Sequence, residues 1–314
     1  MRTRTSPGTD PRPGALHLLC PMVAALMLSA CHPGNVEAKR LRESCETGDV
    51  AACNQLARKL QKGEYVLQDD GRAAELFDAA CKGGVGDGCS SLGVVYQDAK
   101  GVKRDSARAV PLFQQGCERG AMDGCTRLGV LYRKGAGVTQ DLTRAAALFQ
   151  QACDGKDMSG CANLGMLYSA GEGVPQDFAR AADLLQRSCT AKDPLGCVGL
   201  GRLHTAGTGV PRNDSTAAAL FEQSCDDGEV LGCFHHAAVL ERGGIGVEQN
   251  LQDAARLYRT ACEERHAEAC ARVASMFDRG AGVYRQPERA ATFRRRACEY
   301  GHVESCDKPK PAGA

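Results

Sequence analysis

The sequence predicts an all-α fold, a solenoid of stacked helix–turn–helix units, from three observations. Cysteines stand in pairs eight residues apart: Cys45/Cys53, Cys81/Cys89, Cys117/Cys125, Cys153/Cys161, Cys189/Cys197, Cys225/Cys233, Cys262/Cys270 and Cys298/Cys306. The pairs recur every 36 residues, with one extra residue between Cys225 and Cys262 that fits the loop around Gly243 and Gly244. Within each period two helical patterns flank a glycine-rich break. A fixed period of roughly 20–50 residues means units that pack on their neighbours rather than one globular core.

The N-terminus precedes the array. Arg2, Arg4 and Arg12 lead into an apolar run from Ala15 to Ala30 that holds no acidic residue. It is short for a membrane span and reads as an export signal over residues 1–30. The segment Leu28-Ser29-Ala30-Cys31 resembles the lipobox of bacterial lipoproteins, and the resemblance implies that Cys31 is lipidated and begins the mature chain. An ordinary cleavable signal and an uncleaved anchor are the other readings. Cysteine parity agrees with lipidation: of the 18 cysteines, Cys20 leaves with the signal, Cys31 takes the lipid, and the remainder form pairs. Such pairing points to an oxidising compartment. Residues 31–35 are expected as a short tether, with the solenoid over 36–306.

The first helix of a unit is Cys-x-x-Leu-Gly-x-Leu-Tyr, as at Cys125–Tyr132 and Cys161–Tyr168. Its apolar residues recur at spacings of three and four, which puts them on one helical face. Gly-x-Gly-Val follows at Gly135, Gly171, Gly207 and Gly280, where paired glycines permit a tight reversal. Next come Asp69, Asp105, Asp141, Asp177, Asn213 and Asn250, in register with the period and suited to capping a second helix. At Gln286 the cap is poorer, but Pro287 follows at a favourable first position. The second helix reads Arg-Ala-x-x-Leu-Phe-x-x-x-Cys, as in Arg144–Cys153. Gly48, Gly84, Gly120, Gly228 and Gly301 suit its C-terminal cap. Leu92, Leu128, Leu164, Phe77, Phe113 and Phe149 are expected in the core. After Cys306, residues 307–314 contain two prolines that stop any helix and are expected to form a disordered tail.

Geometry assigns the bridges. Residues eight apart on one continuous helix are about 12 Å apart along its axis, beyond the ~7 Å that a disulfide spans between Cα atoms. The chain must therefore reverse between the two cysteines. Each bridge then ties the end of one unit's second helix to the first helix of the next unit. The small residues Gly124, Gly160, Gly196, Gly232 and Ala269, each just before a second cysteine, fit a close helix approach there.

These motifs resemble the Sel1-like repeat family, αα-solenoids related to tetratricopeptide repeats, and in particular its cysteine-rich branch typified by the Helicobacter cysteine-rich proteins. The resemblance covers about Val36 to Cys306. It implies a right-handed superhelix that acts as a binding scaffold; for the branch it also implies penicillin binding with weak β-lactamase activity. The residues do not supply that chemistry. The one Ser-x-x-Lys, Ser305 to Lys308, overlaps the last cysteine pair and lacks its companion motifs. No catalytic residue, metal site or cofactor is assigned.

A net charge of +1 with 25% charged residues excludes the broad basic surface of a nucleic-acid binder. The expected partner is a protein, a peptide or a cell-wall component of the bacterial envelope, on the periplasmic or exterior side, with membrane contact through lipid alone. In a curved stack the first helices line the concave face, and the residues just after each second cysteine vary within a fixed frame. Asn54, Arg127, Asn163, Arg202, His235 and Arg272 are the expected polar contacts. Adjacent on a helix, His235 and His236 point about 100° apart. His204 occupies a tyrosine slot and is expected to pack, while His266 and His302 are expected in solvated turns.

Overall fold

The computed structural model describes residues 33–306. The expected export signal, Cys31 and the residues from 307 on lie outside the described residues. Helices follow one another in pairs: α1 (Pro33–Glu46), α2 (Val50–Lys62), α3 (Asp70–Lys82), α4 (Gly86–Asp98), α5 (Ser106–Glu118), α6 (Met122–Lys134), α7 (Leu142–Asp154) and α8 (Met158–Ala170). The series continues with α9 (Phe178–Thr190), α10 (Pro194–Ala206), α11 (Asp214–Asp226), α12 (Val230–Arg242), α13 (Leu251–Glu263), α14 (Ala267–Arg279) and α15 (Pro287–Glu299), and closes with a 3-10 turn, Val303–Ser305. From α2 onward every helix is 13 residues long, the mark of one unit repeated. Pro33 opens α1, so residues 33–35 are helical. Among the described residues no helix is long and apolar enough to cross a membrane.

Each odd helix from α3 to α13 starts on a side-chain cap. Asp69 Oδ1 accepts from Arg72 N–H at 2.8 Å, Asp105 from Arg108 at 3.0 Å, and Asn213 from Thr216 at 2.9 Å. The preceding Gly-x-Gly-Val needs both glycines. Gly171 ends α8 at φ 71°, and Gly173, also at φ 71°, would place a Cβ 2.3 Å from the Leu142 carbonyl oxygen of the previous unit. No other residue fits that approach. At the turns after the odd helices the expected glycines give way in three units to Lys156, Lys192 and Arg265, which hold φ of 69°, 63° and 66°.

All eight expected disulfides form: Cys45–Cys53, Cys81–Cys89, Cys117–Cys125, Cys153–Cys161, Cys189–Cys197, Cys225–Cys233, Cys262–Cys270 and Cys298–Cys306. Each joins the end of an odd helix to the segment that follows its turn, with Cα atoms 4.5–4.8 Å apart. Most of the bridge sulfurs are buried, while Cys45, Cys225, Cys298 and Cys306 are half-buried. Cys53 and Cys233 are 5% exposed, and Cys89, Cys125, Cys161, Cys197 and Cys270 are fully buried. The cause is the small residue before each of them. A Cβ on Gly88 would lie 2.8 Å from Ala80 Cβ, and one on Gly196 2.5 Å from Ser188 Oγ, so the helices close over the sulfurs.

The core repeats with the bridges. Ala73, Ala109, Ala145, Ala181, Ala217, Ala254 and Ala290 are fully buried where the helices cross. One turn on, Phe77, Phe113, Phe149, Leu185, Phe221 and Tyr258 are buried in the aromatic slot.

In α15 that slot holds Arg294, ion-paired with Asp278 of α14. A half-buried charge thus stands where the preceding units bury a ring or, in α9, Leu185. The extra residue sits in the loop Gly243–Asn250, closed by a bridge between Gly244 and Val247. Buried Asp214 at the start of α11 anchors that loop, accepting from Ile245 N–H at 3.0 Å, Arg212 at 3.0 Å and Arg242 at 3.1 Å.

Candidate functional site: the inner face of the even helices

The helices α4, α6, α8, α10 and α12 meet their counterparts in the next unit, whereas the odd helices mainly touch the even helices beside them. The even helices therefore lie on the tighter, inner side of the curve, and the variable positions after each second cysteine are on them. Two cavities open along this face. One, of about 260 Å³, is lined by Gln97 of α4, Asp123, Thr126 and Arg127 of α6, and Asp157 and Ser159 at the start of α8. The other, of about 290 Å³, is bounded by Arg133 of α6, Met166 and Ser169 of α8, Leu185 of α9, and Gly199 and Arg202 of α10.

The six expected contacts divide. Arg127 and Arg202 line the cavities. Arg127 stands 4.0 Å from Asp123, and its buried Nε has no hydrogen-bond partner. Arg272 is exposed but already held, 3.4 Å from Glu268 and 3.9 Å from Glu241.

Asn54 and Asn163 are buried, being only 6% and 4% exposed. The neighbouring helices close over these first-helix positions. Asn163 spends its amide on Ser159 O at 2.8 Å, and its Oδ1 is left without a partner, as is that of Asn54.

The bridging cysteines are separate from the inner face. Cys53, Cys89, Cys197, Cys233 and Cys270 stand directly before variable positions, yet each is buried with its sulfur turned into the core, and none lines either cavity. Their place is structural, because the bond to the preceding odd helix draws each of them away from the inner surface.

His235 is half-buried, its ring 5.2 Å from Phe221 and 5.3 Å from Phe234. Burial, aided by the charges of Arg202 and His266, pulls its pKa down to about 4. His266 is not a solvated turn residue: it stacks on Phe234 at 4.4 Å, and its Nδ1 accepts from Ala269 N–H at 3.1 Å to cap α14. That role requires the neutral ring, and burial lowers its pKa accordingly. His302 is likewise engaged, its Nδ1 2.8 Å from Ser305 Oγ in the last turn. The Lys308 that completes Ser-x-x-Lys lies outside the described residues. His204 packs as expected, with Nδ1 3.1 Å from Pro211 O.

Sequence reasoning missed Gln97, Arg133 and Ser169 as lining residues. They sit at the ends of even helices, seven residues past Ser90, Thr126 and Ala162, a spacing that keeps one helical face, so the helical period was the signal that could have found them.

The Sel1 repeat profile matches seven consecutive stretches, residues 50–85, 86–120, 123–157, 159–193, 194–229, 231–266 and 267–302. The chain belongs to the Sel1-repeat family. Its fold resembles a protective antigen of uropathogenic Escherichia coli with an SLR fold, 26% identical, TM-score 0.59, covering 85% of this chain and 57% of the antigen. The chain thus spans little more than half that antigen's length. A Sel1 repeat protein from Oxalobacter formigenes is 22% identical, TM-score 0.59, over 85% of this chain and 77% of that one. Cysteine-rich protein B of Helicobacter pylori is 27% identical over 41% of this chain and 93% of its own, at TM-score 0.34. No curated protein matches. Sel1-repeat proteins generally bind protein partners. The eight disulfides point to an extracytoplasmic setting.

Proposed function

We propose that this Sel1-repeat protein holds an extended polypeptide partner along the inner face of its even helices, in the bacterial envelope, tethered to a membrane through a lipid on Cys31. The observation that carries the binding reading is a pair of unsatisfied polar atoms on that face. Gln97 Oε1 and Arg127 Nε, on two residues that line the 260 Å³ cavity, are buried without hydrogen-bond partners. Each such atom carries a desolvation penalty of about 1–3 kcal/mol that a partner's backbone amides and carbonyls would relieve. Disulfides at every junction hold the units in fixed relation, so the face is preorganised and binding costs little ordering of the scaffold.

Site-specific photocrosslinking in cells tests the reading. Arg127→benzoylphenylalanine and Arg202→benzoylphenylalanine should yield protein adducts, whereas Gln186→benzoylphenylalanine, on an exposed side of α9, should not. Adducts at all three positions alike, or at none, would overturn it. The tether is tested separately: a radiolabelled fatty acid should be incorporated by the native chain and not by Cys31→Ala.

A further inference from the structure

The 290 Å³ cavity between α8 and α10 has a construction that the other units lack. Two departures from the repeat create it. The aromatic slot of α9 holds Leu185 where α3, α5, α7 and α11 have phenylalanine. In α10, Gly199 stands where the neighbouring units have Arg127, Asn163 and His235. A Cβ on Gly199 would lie 2.4 Å from Leu185 Cδ2, so Leu185 packs directly under the backbone of α10 in space that a side chain at position 199 would fill. The result is a recess on the concave side with Met166 in its wall and Leu167 and Leu185, both nearly buried, at its base.

Two cations rim this recess. Arg133 is half-buried and Arg202 exposed, and among the described residues neither guanidinium has an ion pair or hydrogen bond. Elsewhere on the even helices arginines have acids beside them: Arg58 with Asp87 at 3.3 Å, Arg127 with Asp123, and Arg272 with Glu268 at 3.4 Å. Two unpaired guanidiniums over this recess form a site for an anion, because like charges repel until a counter-charge enters and guanidinium forks suit a carboxylate. Two further polar groups complete the wall. Glu172 lines it beyond ion-pair distance of either arginine, and Ser169 contributes a hydroxyl.

We infer that this cavity takes the C-terminal residue of a polypeptide partner. The carboxylate lies between Arg133 and Arg202, the aliphatic side chain rests against Met166 over Leu167 and Leu185, and the last peptide N–H donates to Glu172. A C-terminal residue brings a carboxylate, an N–H and an apolar side chain together, and these are the three complements of the wall. An internal aspartate or glutamate brings the charge without the apolar group. At 290 Å³ the cavity is at the small end of ligand pockets, fitting one residue rather than a larger molecule. The inference rests on the inner-face reading and gives the direction in which the partner ends.

Two decamer libraries with random positions, one ending in a free carboxylate and one in a carboxamide, test it against the purified, oxidised protein. Retained peptides are read by mass spectrometry. We expect free-acid peptides to be retained at least tenfold over amides, with valine, leucine and isoleucine enriched at the last position. The Arg133→Gln/Arg202→Gln double variant should lose that preference with its melting temperature unchanged, while Arg58→Gln keeps it. Equal retention of both libraries would overturn this site and leave the inner-face reading intact. Selection of amidated peptides rich in internal acids would overturn it in favour of a side-chain carboxylate. Retention of neither library would overturn both.

Discussion

A methyl group on Gly129 would stand 2.6 Å from Cε1 of Phe149, so the ring of α7 lies directly on the backbone of α6. The same contact recurs between Gly93 and Phe113 and between Gly201 and Phe221, also at 2.6 Å. Buried Ala57 and Ala237 take the glycine's place opposite Phe77 and Tyr258. The slot therefore admits a methyl after a small shift of the ring and nothing larger. We expect Gly129→Ala to change stability by less than about 1 kcal/mol, since better helix propensity offsets the crowding. Gly129→Val should cost about 1–3 kcal/mol by overpacking. Thermal unfolding of the two variants separates these outcomes.

Asp214 ties the enlarged loop to α11. Burial alone would raise its carboxyl pKa, but the Ile245 N–H and the Arg212 and Arg242 guanidiniums outweigh that and hold it below the usual carboxylate range. Asp214→Ala should cost about 2 kcal/mol, because the Ile245 amide and two arginines lose their acceptor. A carboxylate whose pKa is depressed by folding stabilises above its unfolded value, about 3.9, and that contribution is lost as the pH falls through the folded value. Hydrogen exchange at Ile245 should accelerate in that acid range, and at every pH in Asp214→Ala.

His266 and His235 set a second pH dependence at higher pH. Both have lowered pKa values, that of His235 about 4, so the unfolded chain binds protons first. Their stabilisation is complete above about pH 6.5 and is lost progressively as the pH falls toward 4. We expect α12 to α14 to exchange faster over that window than α6 to α8. His266→Asn, which keeps a capping oxygen without a titrating ring, should flatten the profile; an unaltered profile would count against the cap.

The junction between α7 and α8 depends on Cys153–Cys161, which closes a loop of nine residues. In the chain-entropy model its removal by Cys153→Ser with Cys161→Ser should cost about 2.5 kcal/mol. The array should then open at that junction first, detectable as proteolysis near Gly155 under conditions in which the native chain resists.

Lys192 holds a left-handed φ of 63° at a turn position that is glycine after α5 and α11. Lys192→Gly should raise stability by about 0.5–1 kcal/mol by relieving the Cβ clash. An equal loss would show that the lysine makes a compensating contact.

The sequence by itself determined the solenoid, the caps and the bridges. All of these are short-range: a cap spans three residues, a bridge eight, and one period repeats them, so the interactions that fix them are written within a single unit. Arg294 in the aromatic slot was legible by the same register, as a charge where five units have a ring and one has Leu185. Tertiary structure alone decided what the inner face offers. Asn54 and Asn163 were buried by helices from adjoining units, and His266 met Phe234 across a junction 32 positions long. The cavity of Arg133 and Arg202 exists because Leu185 and Gly199 fail to fill space that three successive units enclose. Burial and the lack of a counter-ion depend on everything packed nearby, and a repeat pattern specifies only what lies in register.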